Sequence, residues 1–423
     1  MGRRGGAVAG LVAALLVSGI AWAAAPGELD RSFGRGGVAH LEMGGTDRAY
    51  SVVVGKGRRI VLVGGSGEST LGEGRFAVAR FTPDGEPDRD FSGDGRSYAP
   101  FGPDAYGWAG SIDAQHRVVA AGESCAELSE LTCEFAVARF TPDGRLDPTF
   151  GDDGAVTTPF PGGDAHATAV VARQGKIVVA GVAGGKLTVA RYLRDGRLDA
   201  TFGNGGTTTV DIRKESGPGT AVAVGPRHRV IVASGTGGTG ELTVTELRGD
   251  GHLRRSFGRM GMARASFRGY AVATSLDLDS RGRIVAAGYD EFRGHSGGRR
   301  SAFAVARFGR GGALDDSFSR DGKTETQIKK FDFGLGVAID SRGRIVVAGH
   351  SSGGTCLVRY RPNGRVDRSF SKDGKLRTQV LSTRAVAIDR RDRIVVGGYG
   401  YVQRHGHPSG AFEAARFIGY RDG

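Results

Sequence analysis

Short runs of alternating apolar and small or polar residues recur along this chain, always in the same company. The clearest is Phe135 to Gly154, FAVARFTPDGRLDPTFGDDG: an alternating strand, a Pro-Asp-Gly turn, a Leu-Asp step and a Phe-Gly. Successive strand residues face opposite ways, so Phe135, Val137 and Arg139 share one face and Ala136, Ala138 and Phe140 the other. Near-copies return every 52 to 61 residues to the end of the chain, and self-similarity at such a period marks a repeat architecture.

Four segment types follow one another in fixed order, each seven times. A small-residue strand comes first, from Ser51–Val54 in the earliest copy to Ala385–Asp389 in the last. A four-residue turn and a basic residue lead into a second strand, Ile60–Gly64 to Ile394–Gly398. The Phe-Ala-Val-Ala-Arg-Phe strand is third, and a Thr-rich strand follows the Phe-Gly. Four short antiparallel strands make a sheet too small to stand alone, so neighbours must stack. Radial closure protects the edges that an open stack exposes. The pattern therefore predicts an all-β fold: a single seven-bladed β-propeller of four-stranded antiparallel blades, with the lone N-terminal strand Val38–Met43 completing the last blade beside Phe412–Phe417.

The motif G-x-L-D-x-x-F-G-x-x-G, followed by A-I-D-x-x-G-R-I-V-V-A-G and F-A-V-A-R-F, resembles the delta-60 repeat of bacterial exported proteins. Gly144, Leu146, Asp147, Phe150, Gly151 and Gly154 carry it in one copy; Gly196, Leu198, Asp199, Phe202, Gly203 and Gly206 carry it in the next. The resemblance spans about 390 residues and implies a propeller, but brings no catalytic residues. The copy at Gly251-His252-Leu253-Arg254 lacks the Asp, and its third strand, Leu242–Leu247, lacks the Arg, so that unit reads as degenerate.

Residues 1–23 read as a signal peptide: Arg3 and Arg4, an apolar run from Ala7 to Ile20, and Ala21-Trp22-Ala23, which places cleavage after Ala23. The Arg pair leaves the general and twin-arginine export routes both open. Residues 24–423 then form the propeller, secreted or held outside the cytoplasm, and no second apolar run suggests a membrane span in the mature chain. Export makes a Cys125–Cys133 disulfide the expectation, while Cys356 begins a third strand as a buried apolar substitute.

Net charge is +13, and removing Arg3 and Arg4 leaves +11. A basic surface suits a polyanion, but the basic residues recur at fixed repeat positions and need no single partner patch. Turns between first and second, and third and fourth, strands are uniform, which suits structural turns. The opposite face carries long variable connections (Gly65–Arg75, Glu123–Glu134, Asp290–Ala302, Gly400–Ala411), where a per-protein function belongs. Asp47, Asp104 and Asp164 precede the first strands of three successive blades, followed by Tyr50, Tyr106 and His166. Beside the channel these six are the candidate ligand-binding residues; the carboxylates suit Ca²⁺ or acid–base chemistry, or else serve as repeated turn caps. His405 and His407 offer a weak chelating pair, and Arg293, His295, Arg299 and Arg300 a basic cluster suited to phosphate or polysaccharide. G-x-S-x-G, Walker and H-E-x-x-H motifs are absent. The expectation is a monomeric binding or interaction module for a cell-envelope polymer, a protein or a small ligand, not nucleic acid. The alternative is a propeller enzyme (hydrolase, lyase or dehydrogenase) using the channel carboxylates.

Overall fold

The computed structural model describes residues 25–420 apart from 68–73, 103, 127–131, 212–219, 237–239, 295–296, 352–353 and 405–406. Residues 1–23, expected to be a signal peptide, lie outside the described residues with His295 and His405, as does the side chain of His407. Among the described residues the chain forms seven four-stranded antiparallel sheets, each in simple order from an inner to an outer strand. Blade 1 comprises Arg48–Val54, Ile60–Gly67, Gly74–Phe81 and Arg96–Tyr98; blade 2 comprises Asp104–Ile112, Val118–Cys125, Cys133–Phe140 and Ala155–Thr158. Blade 3 runs through Ala165–Arg173, Lys176–Ala183, Lys186–Tyr192 and Thr207–Val210, and blade 4 through Thr220–Val224, Val230–Thr236, Glu241–Leu247 and Met262–Ser266. Blade 5 is Tyr270–Leu278, Ile284–Arg293, Arg299–Phe308 and Lys323–Thr326; blade 6 is Asp332–Ile339, Ile345–Ser351, Gly354–Tyr360 and Lys375–Thr378.

Blade 7 closes the ring. It takes Ser382–Ile388, Ile394–Arg404 and His407–Phe417 from the C-terminal end and Val38–Leu41 from the N-terminal end, paired from Val38 opposite Ala415 to Leu41 opposite Phe412. Asp30 N–H donates to the Arg416 carbonyl, and Ile418 N–H to the Glu28 carbonyl, extending the join. The inner strand of blade 7 packs against those of blades 6 and 1, so the circle is complete.

The third-strand alternation explains how blades stack. Val61, Val63, Phe76, Val78 and Phe91 of blade 1 pack against Ala105, Val118, Ala120, Ala136, Ala138 and Phe140 of blade 2, a bulky face against a small one. Each buried Phe contributes roughly 2–3 kcal/mol on transfer grounds. The arginine on the bulky face pins the same interface. In six blades its Nε donates to the Leu-Asp aspartate at 2.7–2.9 Å (Arg80–Asp88, Arg139–Asp147, Arg191–Asp199, Arg307–Asp315, Arg359–Asp367, Arg416–Asp30). Its guanidinium lies 4.4–4.8 Å from the centroid of the Phe-Gly ring. Its Nη1 then donates to a turn carbonyl beyond its own blade, such as Pro142 from Arg80 or Arg194 from Arg139.

Blade 4 is not degenerate in this respect. Glu246 stands where the others have arginine and Arg254 where they have aspartate, and the pair meets at 2.7 Å, with Arg229 on the same carboxylate at 3.0 Å. Arg254 also donates to the Arg310 carbonyl of blade 5 at 3.3 Å, reproducing the reach between blades.

Two connections expected as loops are strand extensions. The second and third strands of blade 5 stay paired from Asp290–Ala302 out to Arg293–Arg299, and those of blade 7 from Gly400–Ala411 to Arg404–His407.

Candidate functional site at the channel mouth

Inner strands begin several residues earlier than the small-residue runs suggest, so Tyr50, Asp104, Tyr106 and His166 lie on strands and not in the preceding connections. Six inner strands carry a bulge near their start, with the extra residue at Tyr50, Trp108, Thr168, Thr274, Leu335 and Arg384. A bulge leaves one residue unpaired and re-aims its side chain. A glycine within the second strand makes room for it. A Cβ on Gly64, Gly122, Gly181, Gly288, Gly349 or Gly398 would lie 1.8–2.0 Å from a carbonyl oxygen of the bulged strand (Arg48, Tyr106, His166, Val272, Phe333 and Ser382, respectively). Blade 4 has Ser234 there, and its described inner strand pairs from Thr220–Ser234 onward without a shift.

The bulges put Tyr50 level with Trp108, not with Tyr106, which is level with Arg48. Tyr50 and Trp108 rings lie 4.3 Å apart and Tyr106 is 6.5 Å from Trp108. Tyr106 rests over Gly65 and Gly74 of blade 1, where a Cβ would come within 2.4 and 2.3 Å of its ring. On the other side Arg384 Nη2 donates to Tyr399 Oη at 2.8 Å, and the Arg48 guanidinium lies 5.6 Å from the Tyr399 ring. Farther round, Phe333 lies 5.2 Å from His350 and 5.0 Å from Tyr289. An aromatic arc carrying Arg48 and Arg384 thus spans blades 5, 6, 7, 1 and 2. Trp108 Nε1, Arg384 Nε and His350 Nδ1 are buried in it without hydrogen-bond partners among the described residues. Burial and then the Arg384 charge lower the His350 pKa, keeping that ring neutral at pH 7.

Next to the arc is an acid–histidine sector. His166 Nδ1 pairs with Glu123, and His166 Nε2 meets Asp164 Oδ1 at 2.6 Å. The Glu123 hydrogen bond, against the cost of burial, raises the His166 pKa to about 9, so the ring is an imidazolium at neutral pH. Burial and then Glu123 raise the Asp104 pKa. Cys133, Asp164 and His166 are the one metal-like grouping among the described residues. The Cys133 sulfur is bonded to Cys125, which confirms the expected disulfide, and both His166 nitrogens face carboxylates, so the group does not suit a cation in this state.

Asp47 stands apart from the other two aspartates. It is fully buried and accepts from Met43 N at 2.6 Å and Gly45 N at 3.2 Å, capping its own turn. Its counterpart is Asp332 in blade 6, which accepts from Ile328 N and Lys329 N; blades 2 and 3 carry Ala105 and Ala165 at that level. Asp104 and Asp164 sit one position earlier. The structure therefore brings Asp164 and His166 together with Glu123, and Tyr50 and Tyr106 together around Trp108, but leaves Asp47 in a separate structural role. Sequence reasoning passed over Trp108, Arg384, Tyr399 and Glu123. Trp108 carried a cue, being a large ring in a run of small residues and the one tryptophan after residue 23.

A family model described as a β-propeller domain of unknown function (DUF5122) matches residues 59–91, 134–150, 175–202 and 343–370, about a quarter of the chain. Each stretch ends on the Phe that stacks beneath the arginine (Phe91, Phe150, Phe202, Phe370). The match and the seven blades support a propeller repeat family. No curated protein sequence matches the chain. Similar solved structures include YCF48 bound to D1 peptide, at 10% identity and a TM-score of 0.49, covering 93% of this chain and 97% of that one. The polysaccharide lyase Uly1 is similar at 8% identity and 0.48, covering 88% and 90%. The extracellular domain of BT4673 from B. thetaiotaomicron, described as a one-component system, gives 10% and 0.44. That match covers 89% of this chain, which spans only 39% of the other.

Proposed function

We propose that this chain is an exported binding module of delta-60-type repeats that takes its ligand at the channel mouth on the variable face. The observation that carries the proposal is the arc from Tyr289 to Tyr106, with its buried, unpartnered Trp108 Nε1 and Arg384 Nε donors. Buried donors cost free energy unless something accepts from them. A ligand with a flat apolar face and a carbonyl or carboxylate oxygen satisfies both needs: the rings supply area and the two donors fix orientation. A peptide segment or a short glycan has that make-up. The disulfide Cys125–Cys133 supports a place outside the cytoplasm, with residues 1–23 removed and the mature protein a monomer.

Screening the mature protein against peptide and glycan arrays tests this, with Trp108 fluorescence as the reporter for wild type and titration calorimetry for the variants. Trp108→Ala and Arg384→Ala should each weaken a captured ligand at least tenfold while leaving the melting temperature within a few degrees. Unchanged binding in both variants would sink the reading. An enzyme remains the second reading, resting on Asp104, whose pKa is raised beside Glu123. It predicts turnover of a bound ligand that Asp104→Asn abolishes without loss of binding.

A further inference from the structure

The extended hairpin of blade 5, which continues outward from Tyr289, walls an open groove of about 1180 Å³, lined by Arg268, Tyr270, Phe292, Arg293, Arg300 and Gln327 among others. We infer that this groove is a second binding site, for an acidic polysaccharide. Four guanidiniums border it, and two are already committed. Arg268 Nε meets Glu325 at 2.5 Å and stacks 3.8 Å from the Phe292 centroid, and Arg299 meets Glu291 at 2.7 Å. Arg293 and Arg300 have no acidic partner among the described residues.

Arg293 is also placed directly opposite Arg299 in the hairpin ladder. Like charges in that position destabilise a strand pair, so the hairpin keeps an arrangement that a bound anion would relieve. Gly294 makes room for the second free cation: a Cβ there would lie 2.6 Å from Arg300 Nε. Gln327 Nε2 is buried in the wall with no acceptor, and Tyr270 leaves 36% of its surface in solvent.

Two free guanidiniums for charge, an amide donor for a hydroxyl and a ring for the flat face of a sugar together describe a charged glycan unit. Two unpaired guanidiniums are few for a nucleic acid, whose binding draws on a run of phosphate contacts, and suit a single charged glycan unit. Either carboxylate or sulfate could supply the glycan charge, and different probes separate them.

The experiment titrates the purified mature protein with polygalacturonate, dextran sulfate, neutral dextran and a dT20 oligonucleotide at two salt concentrations. At least one acidic glycan should bind, more weakly at high salt, with the better probe identifying the anion. The double variant Arg293→Ala/Arg300→Ala should lose at least tenfold with a melting temperature no lower than wild type, because neither side chain has an acidic partner to lose among the described residues and the Arg293–Arg299 repulsion is relieved. Trp108→Ala should leave this binding intact, which keeps the groove distinct from the channel mouth. Wild-type-like binding by the double variant overturns the inference; so does equal binding of neutral dextran, tighter binding of dT20, or no binding of either acidic glycan.

Discussion

Glu246 and Arg254 lie 2.7 Å apart in blade 4 with their charges exchanged relative to the six other blades. Everything around them is retained: the stacking position holds Phe257, and Ser256 fills the hydroxyl position of Thr149 and Thr201. Exchange keeps the pair neutral, whereas either change alone would have set two like charges against each other.

Glu246→Ala should therefore cost about 3–5 kcal/mol, because Arg229 and Arg254 would face each other beside an emptied, fully buried position. Glu246→Arg/Arg254→Asp rebuilds the arrangement of the other blades and should recover most of that loss. Thermal melts of the two variants check this; a double variant as unstable as the single one would show that the pair is not what holds blade 4.

Gly122→Ala should lower stability by more than about 2 kcal/mol, since its Cβ would sit 1.8 Å from the Tyr106 carbonyl and the bulge would have to open. Trp108 would move with it. A shifted tryptophan emission maximum alongside the lower melting temperature is the expected signature, and an unchanged spectrum would separate the glycine from the site. Ser234→Gly, in the blade that has no such shift among its described pairs, should leave the spectrum alone.

The His166 contacts make stability depend on alkaline pH. Its folded pKa of about 9 lies above the unfolded value near 6.5, so its contribution is complete below about pH 6.5 and disappears as pH rises through 9. Wild type should exceed His166→Gln in melting temperature at pH 6, with the gap closing by pH 9.5. A gap constant across that range would mean the imidazolium is not what Glu123 and Asp164 hold.

Reducing Cys125–Cys133, which are separated by eight positions, should cost at most roughly 2.5 kcal/mol on the loop-entropy model. Cys356 is buried, and burial pushes its thiol up to about 11. Native, non-reduced protein should accordingly take up no alkylating label at pH 8, and one label per chain after unfolding without reductant. Two or more labels would break the disulfide assignment.

The architecture was legible because each blade repeats its pattern, so a strand doubtful in one copy is clear in the next. Even the join at Val38 could be read, from a fourth strand with no blade before it. The site was not legible in the same way. A bulge inserts one residue among glycines and alanines, where alternation leaves no trace, so the sequence does not show that the counterpart of Tyr50 is Trp108. Asp47 was grouped with Asp104 and Asp164 for the same reason, although one position decides between a buried turn cap and a partly open strand residue. Blade 4 read as degenerate because Glu246 and Arg254 were each compared with the repeat, and only contact shows that they compensate each other. The long hairpin of blade 5 looked like a loop because its outer pairs are charged and Gly-rich.

Val38–Leu41, near one end of the described residues, pairs with His407–Phe417, near the other. A chain cut short anywhere before that final strand has two unsatisfied sheet edges and nothing to seal them, so it stays recognisable as unfinished. The clasp works as a lock that shuts only when both ends of the ring are present together.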